Sequence, residues 1–218
     1  MADTTSRTGV PYGTPAILEW VERVHASHDP ALERAYRSPE LRGMPAISLA
    51  PSEGQLLHLL TRLSGAKRAV EVGTLAGYSA VQIGRGLADG GELHTLEIDP
   101  RHAEIARANI EAAGLSDRVQ VHVGSAAEIL PRLVVRGPFD LVFLDADKAG
   151  YPEYASWAAD NLREGGLLIA DNAYYFGALL ADDPSAQAMR RFHEELPARF
   201  ASVCAPTPDG LVVAIRKP

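Results

Sequence analysis

Two short runs carry most of the reactive side chains in this sequence. LVFLDADK places Asp145, Asp147 and Lys148 at the end of an apolar stretch, and LLIADN places Asp171 and Asn172 at the end of another. Two carboxylates and an amide on adjacent loops present only oxygen, the donor set of a hard divalent cation such as magnesium. Asp145, Asp171 and Asn172 supply three of the roughly six oxygens magnesium takes, which leaves room for two substrate oxygens and a water. Lys148 follows Asp145 by three positions and can point at the same substrate oxygen. A lysine beside a cation and partly desolvated is a candidate general base. Aspartate after a strand is also a common turn or cap residue, and that reading is preferred for Asp147.

A second constellation lies upstream, in AVEVGTLAGYS at 69–79. A short apolar run is broken by Gly73 and Gly77 before a helical pattern starts near Ser79, which reads as strand, glycine turn and helix N-terminus. Glycine lets backbone approach a ligand closely. Leu75 stands where the dinucleotide fingerprint needs its middle glycine, so pyrophosphate binding is disfavoured. The carboxylate of Glu71, just before the turn, instead suits a cationic ligand bearing an amino group or a sulfonium. Glu97 ends the next apolar run, LHTLEI, where a Rossmann-like fold places the acid that holds a ribose diol. A nucleoside without pyrophosphate and with a positive tail is S-adenosylmethionine.

These loops need strands to carry them. Short apolar runs at 68–72, 92–98, 118–123, 139–144 and 166–170 alternate with helical patterns at about 78–88, 101–113, 126–135 and 152–162. That alternation predicts an α/β fold, a Rossmann-like doubly wound and mostly parallel sheet. A helix at about 184–196 and strands near 200–204 and 210–216 follow, the strands separated by PTPDG and expected to pair as an antiparallel hairpin, seven strands in all. Glu71, Glu97, Asp145 and Asp171 all fall at strand carboxyl ends, where such folds bind ligands. Residues 1–13 are small and polar and are expected to be a mobile tail. Residues 14–65 predict cap helices: one with Ile17, Leu18, Val21 and Val24 on one face, a short one over Pro30–Ser38, and one over Gln55–Leu63 begun by Pro51-Ser52-Glu53. The core spans 66–218, giving a single domain.

The chain has 218 residues, 46% of them hydrophobic and 22% charged, enough to bury one proper core. A net charge of −7 argues against nucleic-acid or anionic-membrane partners. Cys204 is the only cysteine, which rules out an internal disulfide and a zinc–cysteine cluster. No apolar leader or bilayer-length apolar run is present, so a cytoplasmic protein is expected. The seven histidines show no ligand spacing. Trp20 and Trp157 sit in helical patterns and are expected in the core, Tyr154 is expected to pack at a helix start, and Tyr151 is open between packing and acceptor contact.

With these residues in view, the sequence resembles the cation-dependent O-methyltransferases of the caffeoyl-CoA and catechol type. The matching runs are EVGTLAGYS at 71–79, LEID at 96–99, FDLVFLDADKAGYPEY at 139–154, GGLLIADN at 165–172 and DGL at 209–211. The resemblance implies that Asp145, Asp171 and Asn172 bind the metal and that Lys148 deprotonates or stabilises the acceptor hydroxyl. It implies a cofactor site lined by Glu71, Gly73, Thr74, Ser79, Glu97 and Ala126, with Asp145 shared between cofactor, metal and catalysis. Met44 lies in a loop over that site. The implied acceptor is a vicinal dihydroxy aromatic, and the implied assembly is a homodimer. The stretch after Asn172 departs from the pattern: relatives continue with a small or branched residue, Leu-Trp and glycine, whereas this chain has Ala173-Tyr174-Tyr175-Phe176-Gly177. Rival readings are a methyltransferase for an isolated hydroxyl or amine without metal, a nicotinamide-dependent oxidoreductase, and a non-catalytic binding module.

Overall fold

A computed structural model describes residues 13–218. All but the last residue of the tail expected at 1–13 lies outside the described residues. The chain opens with three helices, α1 (Pro15–His25), α2 (Pro30–Arg42) and α3 (Pro51–Ser64). Strands and helices then alternate as β1 (Arg68–Val72), α4 (Tyr78–Gly86), β2 (Glu92–Glu97), α5 (Pro100–Ala112), β3 (Val119–Val123) and α6 (Ala126–Leu133). They continue as β4 (Phe139–Leu144), α7 (Tyr151–Asn161), β5 (Leu162–Ala170), α8 (Pro184–Arg199), β6 (Phe200–Ala205) and β7 (Leu211–Arg216). Several helices begin in the same way: proline opens the first turn, and Thr14, Asp29, Asp99 or Asp183 before it accepts a backbone N–H of that turn.

The strands form one seven-stranded sheet in the order β3-β2-β1-β4-β5-β7-β6. β1 to β5 run parallel, and β7 pairs antiparallel with both β5 and β6. This is the doubly wound sheet with a C-terminal hairpin that the sequence predicts. The central strands lack in–out alternation because both their faces are covered: Leu141, Val142, Phe143 and Leu144 are all fully buried. One apolar core packs α6, α7 and α8 on one face, and a second packs α2 to α5 on the other. The strand order reverses between β1 and β4, and the loops leaving the carboxyl ends of those strands diverge there to leave a crevice.

The structure departs from expectation at several elements. α2 passes through a buried Pro39 and ends one turn later, at Gly43 in the left-handed region, because a proline there loses one backbone bond while Met44 N–H still closes on the Pro39 carbonyl. β5 starts at Leu162 rather than 166, across a register shift against β4. Trp20 is not core: α1 buries none of its residues, and Trp20 is 55% exposed on a helix packed mainly against α3. Trp157 does pack on the core, against Phe139. No helix among the described residues is long and apolar enough to cross a membrane.

Candidate active site

A cavity of about 850 Å³ opens at the carboxyl ends of the parallel strands. That volume accommodates a nucleoside and a small aromatic together. Gly73, Thr74, Ser79, Glu97, Ala126, Asp145, Lys148, Asp171 and Asn172, spread over a hundred residues of sequence, all line it. The sheet brings together every expected site residue except Glu71.

Glu71 is placed apart from the others. It sits inside β1, fully buried, one layer beneath the cavity wall. Its Oε2 accepts the Thr95 hydroxyl at 2.5 Å, Thr95 in turn meets the Thr74 hydroxyl at 2.5 Å, and Oε1 has no partner. Burial pushes its carboxyl up to about 8 against the modest pull of the Ser79 and Thr95 hydroxyls. Position two before the glycine suggests proximity to a ligand, but this side chain lies within β1 against Thr95, behind the cavity-lining Thr74.

The glycine turn owes its shape to contact with β4. Gly73 has φ +99°, and a Cβ there would lie 1.9 Å from the Asp145 carbonyl oxygen. Asp145 N–H also donates to the Val72 carbonyl at 2.9 Å. Across the turn, Glu97 Oε2 accepts Leu75 N–H at 2.7 Å and Oε1 accepts Asp99 N–H at 3.0 Å. These bonds fix the carboxylate at the tip of β2, facing the cavity. Gly124 to Ala126 and the half-buried His102 form the neighbouring wall.

The reactive cluster lies at the ends of β4 and β5. Lys148 Nζ donates to Asp145 Oδ1 at 3.2 Å and to the Tyr151 hydroxyl at 2.8 Å, and it lies 4.7 Å from that ring's centre. Tyr151 is fully buried and its hydroxyl donates to the carbonyls of Asp171, at 3.0 Å, and Leu144, at 3.2 Å. It is therefore a support for Lys148 rather than an acceptor contact. Burial, together with the charges of neighbouring acids, raises the carboxyls of Asp145 and Asp171, the latter to about 8. Asp171 Oδ1 is buried without any hydrogen-bond partner. Asn172 holds φ +52°, a left-handed conformation its short amide tolerates, and so it enters the cavity wall. No group of three His, Cys, Asp or Glu suited to a metal occurs among the described residues; the acids here number two, with an amide as third donor. A buried Asp171 with an orphaned oxygen beside a partly exposed Asp145 fits a divalent cation, which offsets both the desolvation and the repulsion between the two acids.

Other walls carried weaker sequence signals. Tyr154, expected to pack, lines the cavity, and its hydroxyl donates to Asp147 Oδ1 at 2.7 Å. Asp147 also caps the following turn through Gly150 N–H, as expected. Met44 is buried under its loop, and Pro45, Ile47, Ser48 and Leu49 form the roof in its place. Phe176 reaches the cavity from a loop in which Tyr175 and Phe176 both have positive φ. The turn before β7 clamps that loop: Asp209 Oδ1 accepts Phe176 N–H at 2.9 Å, and the Asp209 carbonyl accepts Tyr174 N–H at 2.9 Å. Glu53 lines the cavity too, although the sequence marks it only as a helix-start residue. Away from the site, His94 Nδ1 and His122 Nε2 share a hydrogen bond at 3.0 Å across β2 and β3.

A parallel sheet reversing between β1 and β4, an acid at the tip of β2 and a deep cavity over the glycine turn define a class of nucleoside-cofactor enzymes. Comparison with known proteins narrows it: the O-methyltransferase family profile matches residues 24–217, and the chain belongs to that family. A catechol O-methyltransferase of Niastella koreensis is 44% identical over 201 residues, covering 87% of this chain and 91% of the relative. One from Mycobacterium tuberculosis is 40% identical over 81% of each. Among solved structures, the O-methyltransferase of Bacillus cereus with S-adenosylhomocysteine aligns at TM-score 0.88 and 37% identity over 93% of this chain and 97% of that one. TomG of Streptomyces achromogenes, an O-methyltransferase of tomaymycin synthesis solved with S-adenosylmethionine, aligns at 0.87 and 34%, over 93% and 96%.

Proposed function

We propose that this O-methyltransferase moves a methyl group from S-adenosylmethionine to one hydroxyl of a vicinal dihydroxy aromatic, with a divalent cation, magnesium by the all-oxygen donor set. The observation that carries the proposal is the unpartnered, buried Asp171 Oδ1 beside Asp145, Asn172 and Lys148, in the same cavity as Glu97 and the glycine turn. The catechol names of the two relatives and the cofactors in the two solved structures support it.

Asp145, Asp171 and Asn172 would hold the cation, and Glu97 the ribose diol through the lone pairs left free by its two backbone bonds. When bound, these groups supply an activated methyl, whose carbon–sulfur bond breaks as the acceptor oxygen–carbon bond forms, and a charge that acidifies the chelated hydroxyl. The chain supplies position. Tyr151 and Asp145 hold Lys148 Nζ at the cavity edge, where it takes the hydroxyl proton or shields the developing phenolate. The roof of Pro45, Ile47 and Leu49 and the ring of Phe176 are apolar, which suits a flat aromatic.

The test is methyl transfer to a panel of catechols, caffeoyl compounds and monophenols, with magnesium and with chelator. Metal-dependent methylation confined to vicinal diols is expected. Full activity in chelator would remove the metal, and transfer to isolated hydroxyls or amines would replace the acceptor class.

A further inference from the structure

A cationic amino-acid tail needs an acid facing it, and Glu71, the acid the sequence offers before the glycine turn, is fully buried within β1 and does not line the cavity. We propose that Glu53 takes that role, its free carboxylate oxygen receiving the α-ammonium group of S-adenosylmethionine. The inference rests on the cofactor reading above.

Glu53 stands in the first turn of α3 and is 7% exposed. One oxygen, Oε2, accepts Ala50 N–H at 3.2 Å and so closes the helix start. The other, Oε1, is buried with no partner, on a side chain that lines the cavity. A carboxylate oxygen removed from water without a donor is costly, and an ammonium group is the partner that offsets the cost most fully.

The neighbourhood fits both charges of an amino acid. Gly54 packs its backbone on Tyr78, so tightly that a Cβ would lie 2.7 Å from the ring, and this wedges the start of α3 against the start of α4. Ser79, next to Tyr78, lines the cavity at the positive end of α4. A carboxylate belongs at that helix N-terminus, and an ammonium belongs at Glu53. An α-amino acid carries the two groups on one carbon, so their receptors must be neighbours, as these residues are. A sulfonium has no N–H to give and leaves Oε1 unsatisfied. An acceptor hydroxyl is the remaining claimant, because Glu53 and Asp171 line the same cavity.

Calorimetric titration of wild type and Glu53→Gln with S-adenosylhomocysteine, S-adenosylmethionine and 5′-methylthioadenosine, which lacks the amino-acid tail, separates these cases. Glutamine keeps the bond to Ala50. The expected result is a loss of about tenfold to a hundredfold for both full cofactors, the range of a charge-assisted hydrogen bond, with methylthioadenosine unchanged. Loss for S-adenosylmethionine alone would assign Glu53 to the sulfonium and overturn the proposal. Unchanged cofactor binding with a raised acceptor KM would give it to the acceptor, and equal loss for all three ligands would make its role structural. If the glutamine variant does not fold, Glu53→Asp keeps the charge on a shorter arm and must weaken the two full cofactors more than methylthioadenosine. Wild type that binds no S-adenosylhomocysteine would instead refute the cofactor reading itself.

Discussion

Replacing Glu71 by glutamine should make the protein more tolerant of neutral and mildly alkaline pH. Burial raises this carboxyl from 4.5 to about 8, so the folded protein holds a proton there that the unfolded chain releases above pH 4.5. The sign follows from that difference. Stability linked to Glu71 is complete below pH 4.5, falls as pH rises, and levels off only above pH 8. The slope is about 1.4 kcal/mol per pH unit, so wild type loses about 3 kcal/mol relative to the glutamine variant between pH 5.5 and 7.5. For a chain of this length that is a shift of roughly 6–12 °C in the gap between their melting temperatures. Thermal unfolding of both ligand-free proteins across this range reads it directly. Any packing cost of the substitution offsets the two curves by a constant and leaves the slope intact. A gap that does not change with pH would refute the reasoning, since it would mean that Glu71 carries its charge in the folded protein.

Two further substitutions probe the site. Lys148→Ala should lower kcat by about a hundredfold or more while S-adenosylhomocysteine affinity stays within about twofold, because the role proposed for the lysine is at the acceptor oxygen and not at the cofactor; equal losses in both would count against that role. Gly73→Ala should cost about 3 kcal/mol or more, because its methyl group meets the Asp145 carbonyl at 1.9 Å and its φ of +99° is strained for alanine; a melting temperature within about 2 °C of wild type would show that β1 and β4 can part at that point.

The sheet was legible because its strands are short apolar runs separated by helices, and the reactive loops because buried strands end in acids. Asp145, Asp171 and Glu97 each follow such a run, and the parallel sheet can only gather them at one edge. Glu71 shows the limit of that logic: it precedes the glycine turn, but it lies within β1, which is buried on both faces, and not in the loop that follows. Glu53 escaped for the opposite reason, since a glutamate in a first helical turn is explained by capping and only a three-dimensional cavity reveals its second oxygen. Trp20 misled because a large apolar side chain at helical spacing implies burial, while α1 has little more than α3 to lie on. Tyr151, open between packing and acceptor contact, is buried, and Tyr154, expected to pack, lines the cavity, because the rotation of a helix start is left free by spacing.

Asp145 has its amide on Val72, its carbonyl against Gly73 and its carboxylate on Lys148. The donor half and the acceptor half of the cavity therefore share a rigid keel, and a change suited to one displaces the other. Variation that leaves the reaction intact is expected in parts hung away from that residue: the roof from Pro45 to Leu49 and the strand-end loop carrying Phe176. A lineage exploring new acceptors should accumulate its differences there and drift little around the keel, so that relatives divided by substrate would be told apart by their rims and not by their floors.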